Sequence, residues 1–366
     1  MAKQESGLEV ASRDKPDRHF AANDLVALAT RIFAAAGSNA EEARLIADHL
    51  VEANLVGHDS HGVIRIKKYV DWAKAGQVLP NRHVGIVADR GAALLLDGAC
   101  GYGQVIGREA MALGAERCTR FGFATVALRN SGHLGRIGAW PEQLAAAGFV
   151  SFHFVNTSGF GILVAPHGGS DRRLSANPLA AGAPVQGGAP LILDIATSVI
   201  AEGKIQVARN KGEKIAPGQI LDGGGRPTDD PERFYAKPPG AILPFGGHKG
   251  SGLSVFCEII AGSLTGGFAS NPAASTAGRL LNNMTSLVFD PAAFGGSDFF
   301  AGDLLRLIEW AKASPPLVAG GAVLLPGEIE RATRDERLAA GIPLDRETIA
   351  QIKAAGASLA VNVDEL

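Results

Sequence analysis

Helical patterning occupies both ends of this chain and stops in between, and that constrains its fold more than any single motif does. Apolar residues recur at helical spacing from 24 to 36, where Gly37 closes the run. Ser38 with Glu41 three residues on reads as a capping box for a second helix through about Leu55. From about Ala92 the texture changes to short β-like runs at 92–96, 124–128, 150–155, 191–195 and 286–289. These alternate with helical stretches at 106–119, 142–147, 199–208 and 253–264. Helix returns from about Asp303, at 304–313, 329–339 and 346–354. The prediction is an α/β (α+β) chain in which residues 19–91 and 303–366 form one discontinuous helical domain around an α/β domain at 92–302. At 366 residues there is enough chain for two sizeable cores. The segment 212–239, rich in Gly, Pro and Asp, reads as a long ordered loop.

Between the second and third helical stretches stands Gly57-His58-Asp59-Ser60-His61-Gly62-Val63. Gly57 stops one helix, and Val63, Ile66, Val70 and Ala73 begin another, with Ser60 as N-cap and His61 as its first residue. Arg65 and Tyr69 follow at steps of four, so His61, Arg65 and Tyr69 are expected on one face. An imidazole, a guanidinium and a phenol beside a helix start suit an anionic substrate that gains or loses a proton. An ordinary capped helix with a polar face has the same spacing.

Gly101-Tyr-Gly103-Gln-Val-Ile-Gly107 imitates a dinucleotide fingerprint, but the spacing departs from G-x-G-x-x-G. Arg129 stands where a ribose-binding carboxylate would be, so a tight turn is the favoured reading. Gly246-Gly247-His248-Lys249-Gly250-Ser251-Gly252 precedes an apolar helix, and its bare N–H groups and lysine can face a phosphate; a flexible linker is the competing reading. His133 sits in a Gly-flanked loop after the 124–128 run, able to reach a cleft or to bond its own backbone. Asp194 ends the run before Thr197 and Ser198, where it can orient a histidine, hold a cofactor hydroxyl or cap a helix. His58, His61 and His133 are a conceivable zinc set, but without HExxH spacing no metal site is expected.

Lys and Arg number 35 against 37 Asp and Glu, so neither nucleic acid nor an anionic membrane is an expected partner. Cys100, Cys118 and Cys257 share no short spacing, which points to free thiols in a reducing cytoplasm. The opening, Met1 to Arg18, is too charged for a signal peptide and is expected to be a disordered tail.

Taken together, these segments resemble the malate/L-lactate dehydrogenase family of NAD(P)-dependent oxidoreductases, a family distinct from the Rossmann-type lactate and malate dehydrogenases. The matching stretches are GHDSHGV (57–63), GYGQVIGREAM (101–111), NSGHLGRIG (130–138) and RLSANP (173–178), followed by PLILDIATS (190–198), GEKIAPG (212–218), LPFGGHKGSGL (243–253) and LLPGEIE (324–330). ANLVGHDSHG, LNNMT (281–285) and ERLAAGIPLD (336–345) are most similar to its hydroxycarboxylate dehydrogenase branch.

The resemblance implies a homodimer with a non-Rossmann nicotinamide-binding domain on a largely antiparallel or mixed sheet, acting on a small 2-oxo or 2-hydroxy acid. It implies that His61 protonates the carbonyl oxygen in reduction and removes that proton in oxidation, with Ser60 in support. His133 takes the acid/base role in some relatives, so one histidine would be catalytic and the other orienting. Arg65 and Tyr69 would contact substrate. Gly135, Ile192, Leu193, Asp194, Thr197, Ser198, His248, Lys249, Asn282, Gly327, Glu328 and Glu330 would line the cofactor site. Many members carry Gly-His where this chain has Asn283-Met284, a departure beside Asn282. Glu328 and Glu330 beside the adenosine ribose would favour NAD over NADP. Relatives that reduce cyclic imines such as piperideine-2-carboxylate, or a catalytically silent nucleotide-binding subunit, are the alternatives.

Overall fold

The computed structural model describes residues 18–159, 161–271, 278–318 and 320–363. Most of the expected tail lies outside the described residues, but Arg18 does not belong to it. Arg18 opens strand β1 (Arg18–Phe20) and pairs with Leu344 in β12 (Ile342–Leu344). Three helices follow β1: α1 (Ala22–Ala35), α2 (Ala40–Leu55) and α3 (Arg65–Lys74). Next come β2 (Gly85–Arg90), β3 (Ala93–Asp97), α4 (Gly103–Phe121), β4 (Phe123–Ser131), α5 (Ala139–Ala146) and β5 (Val150–Gly159). Strands β6 (Leu179–Ala183) and β7 (Leu191–Ile195) precede α6 (Glu202–Lys211), β8 (Ile220–Leu221), β9 (Pro227–Thr228), α7 (Pro231–Tyr235) and β10 (Ala241–Ile242). The chain closes with α8 (His248–Cys257), β11 (Leu280–Phe289), α9 (Ser297–Lys312), α10 (Glu328–Ala340), β12 and α11 (Arg346–Ala357).

Residues from the two ends bury one core. Leu25, Ile32, Phe33, Ile46, Leu50, Ile66 and Tyr69 pack with Ile342, Ile349 and Ile352. The cap of α2 corrects the sequence reading by one residue: Asn39 is the N-cap and accepts from the Glu42 backbone N–H. Ser38 instead donates its hydroxyl to the Glu42 carboxylate.

A seven-stranded sheet, order β2-β3-β4-β11-β5-β6-β7, carries the second core. Within it only β3 and β4 pair in parallel, joined by α4 as the crossover; the other neighbours are antiparallel. The mixed, mostly antiparallel sheet is as expected for a non-Rossmann fold. Two of its strands have little sequence signal. β2 is an edge strand with an exposed face, and β6, Leu-Ala-Ala-Gly-Ala, lacks the β-branched residues that mark a strand. The expected loop at 212–239 instead holds β8, β9 and α7, and β8 pairs with β9 and β10 in a small sheet over a third core. α8 runs on into a π-helical turn, Glu258–Ser263. Among the described residues no helix is long and apolar enough to cross a membrane.

Candidate active site

The turn carrying His61 is anchored from two sides. Asn54, buried near the end of α2, accepts the Val63 N–H at 2.7 Å and donates to Asp59 at 2.6 Å. A Cβ on Gly62 would meet the Asn54 side-chain oxygen at 2.1 Å, so only glycine passes there. Arg337 of α10 holds Asp59 from the other side with a bidentate pair at 2.6 and 3.0 Å. The result is a 3₁₀ turn over Asp59–His61, and α3 begins only at Arg65. This corrects the expectation that Ser60 caps a helix starting at His61. The Ser60 hydroxyl is engaged with His61 Nδ1 at 3.0 Å, and the Ser60 carbonyl accepts from Arg65 Nε at 2.5 Å.

The second histidine arrives from the sheet. Beyond the end of β4, Gly132 donates its N–H to the Gly101 carbonyl, and Gly103 abuts the His133 backbone. The glycines of the 101–107 motif therefore admit close backbone contact and the Trp140 ring, which is why they resemble a fingerprint without its spacing. His133 is not a turn histidine bonded to its own backbone: its Nδ1 lies 2.6 Å from the Tyr69 hydroxyl. The His61 and His133 rings stack with centroids 5.6 Å apart and planes 10° from parallel. Burial, then the Arg65 charge, pushes the His61 pKa down to about 3 and that of His133 well below its ordinary value. Burial also raises the Tyr69 phenol to about 12. Both imidazoles are thus neutral in the free protein, and the phenol keeps its proton.

A cavity of about 300 Å³ is lined in part by Val56, Arg136, Ile192, Asp194, Gly327 and Glu330. Arg136 is buried and ion-paired to Glu142, and its backbone N–H donates to His49 Nε2 at 3.0 Å. Asp194 accepts the Gly138 N–H at 2.8 Å and lies 3.9 Å from His58 Nδ1. It does not cap α6, whose N-cap is Ala201. Burial raises its pKa, opposed first by His58. The other nitrogen of His58 is 3.6 Å from Glu330, so one imidazole spans two carboxylates of the cavity wall.

The remaining expected residues are spread over several segments. Gly135, at φ 72°, leaves room for His49, which a Cβ there would strike at 2.3 Å. Leu193 stands between Ile192 and Asp194 on β7. Thr197 bonds the Ala176 carbonyl through both its N–H and its hydroxyl, and Ser198 bridges to Pro244. That bridge leads into the start of α8, where Gly247 has φ 61° and no side chain caps the helix. His248 and Lys249 stand there, and His248 packs edge-on against His167. Two residues face elsewhere. Asn282 is buried, accepting the Leu134 N–H and donating to Thr157, and Glu328 pairs with Lys312 at 2.7 Å.

Sequence reasoning passes over His49, Gln104 and Arg136, and considers His58 only as a metal ligand. All but His49 lie inside the recognised motifs, so attention to every polar residue of those motifs is the available signal. His49 lies mid-helix in α2 and carries none.

The residues present suit a dinucleotide. Asp194 and Glu330 in the cavity wall would offer acceptors to ribose hydroxyls, and Lys249 in the first turn of α8 would offer its charge to a diphosphate. Fold and site together define a class: the malate/L-lactate dehydrogenase family model matches residues 20–353, and the chain belongs to that family. The chain is 45% identical over 328 residues to hydroxycarboxylate dehydrogenase B of Escherichia coli K12, covering 89% of this chain and 90% of that protein. The solved sulfolactate dehydrogenase of Methanocaldococcus jannaschii superposes with a TM-score of 0.84 at 30% identity, over 95% of this chain and 99% of that one. The delta1-piperideine-2-carboxylate reductase of Pseudomonas syringae pv. tomato superposes at 0.78 and 30% identity, over 92% of this chain and 99% of that one.

Proposed function

We propose that this protein interconverts a small 2-hydroxy acid and the corresponding 2-oxo acid, using NAD as the redox partner. The observation that carries the reading is the stacked, neutral His61–His133 pair, with the Arg65 charge acting on both rings. When bound, a nicotinamide cofactor would supply or accept the hydride at the substrate carbon. Arg65 has its Nε committed to Ser60, which aims its remaining guanidinium nitrogens as a clamp for the substrate carboxylate. That carboxylate also offsets the Arg65 charge that depresses His61, raising the proton affinity of the ring when substrate is present. His61 then serves as base towards the hydroxyl in oxidation and as acid towards the carbonyl oxygen in reduction. Ser60 holds the ring by its other nitrogen.

NAD is favoured over NADP by charge. The cavity wall carries Glu52, Glu142, Asp194 and Glu330 against Arg136, Arg331 and Arg334, so a 2′-phosphate would enter a site without net positive charge. A homodimer is supported by α9, which buries none of its own residues and exposes Phe299, Leu307 and Trp310, the last at 81%. A panel of 2-oxo acids monitored by loss of nicotinamide absorbance, run with NADH and NADPH, tests the activity. Cyclic imines belong in the same panel because of the piperideine-2-carboxylate reductase relative; faster turnover of an imine would make C=N the true substrate bond. NADH binding without turnover of any compound would favour a silent subunit instead.

A further inference from the structure

Two histidines share the site, and the polar groups behind His133 distinguish their roles. Gln104 lies in the first turn of α4 and is 2% exposed. Its amide nitrogen donates to the Tyr69 hydroxyl at 3.1 Å and to the His133 carbonyl at 3.3 Å. A backbone carbonyl can only accept, so the NH₂ end of the amide must be the end facing both partners. The Tyr69 oxygen therefore accepts a hydrogen bond from Gln104, and Tyr69, itself 1% exposed, has one O–H left to place. His133 Nδ1, 2.6 Å away, is the acceptor available to it. Nδ1 then bears no proton, and the neutral ring carries its single N–H on Nε2.

Resting on the reading that the site reduces and oxidises a carbon–oxygen bond, we propose that Gln104, acting through Tyr69, locks His133 as the Nε2–H tautomer. His133 is then a fixed hydrogen-bond donor to the substrate oxygen, and the transferred proton passes through His61. The tyrosine is thereby a positioning residue rather than a substrate contact, which revises the role first expected of it. The same arrangement places one neutral donor and one proton carrier in parallel rings, so the pair need never carry two charges at 5.6 Å. The buried Gln104 carbonyl oxygen has no hydrogen-bond partner among the described residues, so the amide is held by its donor end alone.

The test is proton-detected nitrogen NMR of the histidine side chains in the intact, substrate-free protein, assigned with a His133→Gln variant. The wild type should show His133 with a protonated Nε2 and a bare Nδ1. Tyr69→Phe removes the donor, and Gln104→Glu offers the tyrosine a competing acceptor; both should release the ring into a mixture of tautomers. Both should also lower kcat roughly 10- to 100-fold, the range found for lost orienting contacts. His133→Gln keeps an N–H donor and should lose no more than the two orienting variants do, about 10- to 100-fold, whereas loss of the proton carrier costs up to about 10⁴-fold. A wild-type His133 protonated on Nδ1, or an unchanged tautomer in both variants, overturns the proposal, as does collapse of activity in a folded His133→Gln. The tautomer is read without substrate, so a protein that turns over no oxo acid would sink the functional reading and leave this measurement to decide the lock.

Discussion

Replacing Gly103 with alanine tests how tightly α4 sets the position of His133. A Cβ at 103 would stand 2.2 Å from the His133 carbonyl oxygen, 2.5 Å from its carbonyl carbon and 2.7 Å from the Gly132 oxygen. All three are backbone atoms, so no side chain can swing aside. Ordinary van der Waals contact begins near 3.4 Å, and the histidine loop must retreat by about 1 Å to accommodate the methyl group. Gly103 opens α4, so the propensity that alanine gains in a helix interior does not apply, and the overpacking cost is about 1–3 kcal/mol. Catalysis is far less forgiving. A shift of about 1 Å in a positioned group costs about 10²-fold in rate, equivalent to about 2.7 kcal/mol of barrier. Gly103→Ala should therefore melt within a few degrees of wild type yet lose about 100-fold in kcat on the best 2-oxo acid of the panel. Retention of kcat within about threefold, in a protein of unchanged fold, would refute the argument that this contact positions His133.

Three further outcomes are expected. His153 is fully buried between Ser286 and Ser151, and burial lowers its pKa to about 3. The unfolded chain takes up that proton below about pH 6.5 and the folded one does not until about pH 3, so the stabilisation present above 6.5 is lost as pH falls through that window. A His153→Asn variant should show a shallower decline of denaturant midpoint between about pH 7 and pH 5, by up to about 1.4 kcal/mol per pH unit; parallel curves would contradict the assignment. Glu330→Gln removes a cavity carboxylate and should improve NADPH relative to NADH by up to about fivefold in KM, with an unchanged ratio placing the ribose elsewhere. Trp310→Asp should convert a dimer to a monomer in light scattering, and a variant that remains dimeric would move the interface off α9.

Much of this architecture was legible because local signals were strong. The strands Phe123–Ser131, Val150–Gly159 and Leu280–Phe289 carry β-branched and aromatic residues, among them Thr125, Val126, Phe152, Phe154, Thr285 and Val288. Those three strands form the centre of the sheet, where such side chains pack best. What the sequence hid was contact between distant segments. Tyr69 and His133 are 64 residues apart and meet only where α3 and the loop after β4 come together, so no spacing rule could pair them. The 3₁₀ turn at His61 was likewise invisible, since Asn54 and Arg337 impose it from α2 and α10. Local capping preference alone would start a helix at Ser60, and tertiary bonds override it. The π-helical turn at Glu258 follows the same logic: the buried carboxylate gathers Asn156, Asn177 and Ser270 from three other segments.

The most direct test of the account compares wild type with His61→Ala, following NADH consumption with the best substrate of the 2-oxo acid panel and NADH binding by fluorescence titration. The account predicts that wild type consumes NADH, that the variant loses roughly 10²- to 10⁴-fold in kcat, and that both bind NADH alike. A variant that turns over within about tenfold of wild type would show that the proton does not travel through His61, and the central claim would fall.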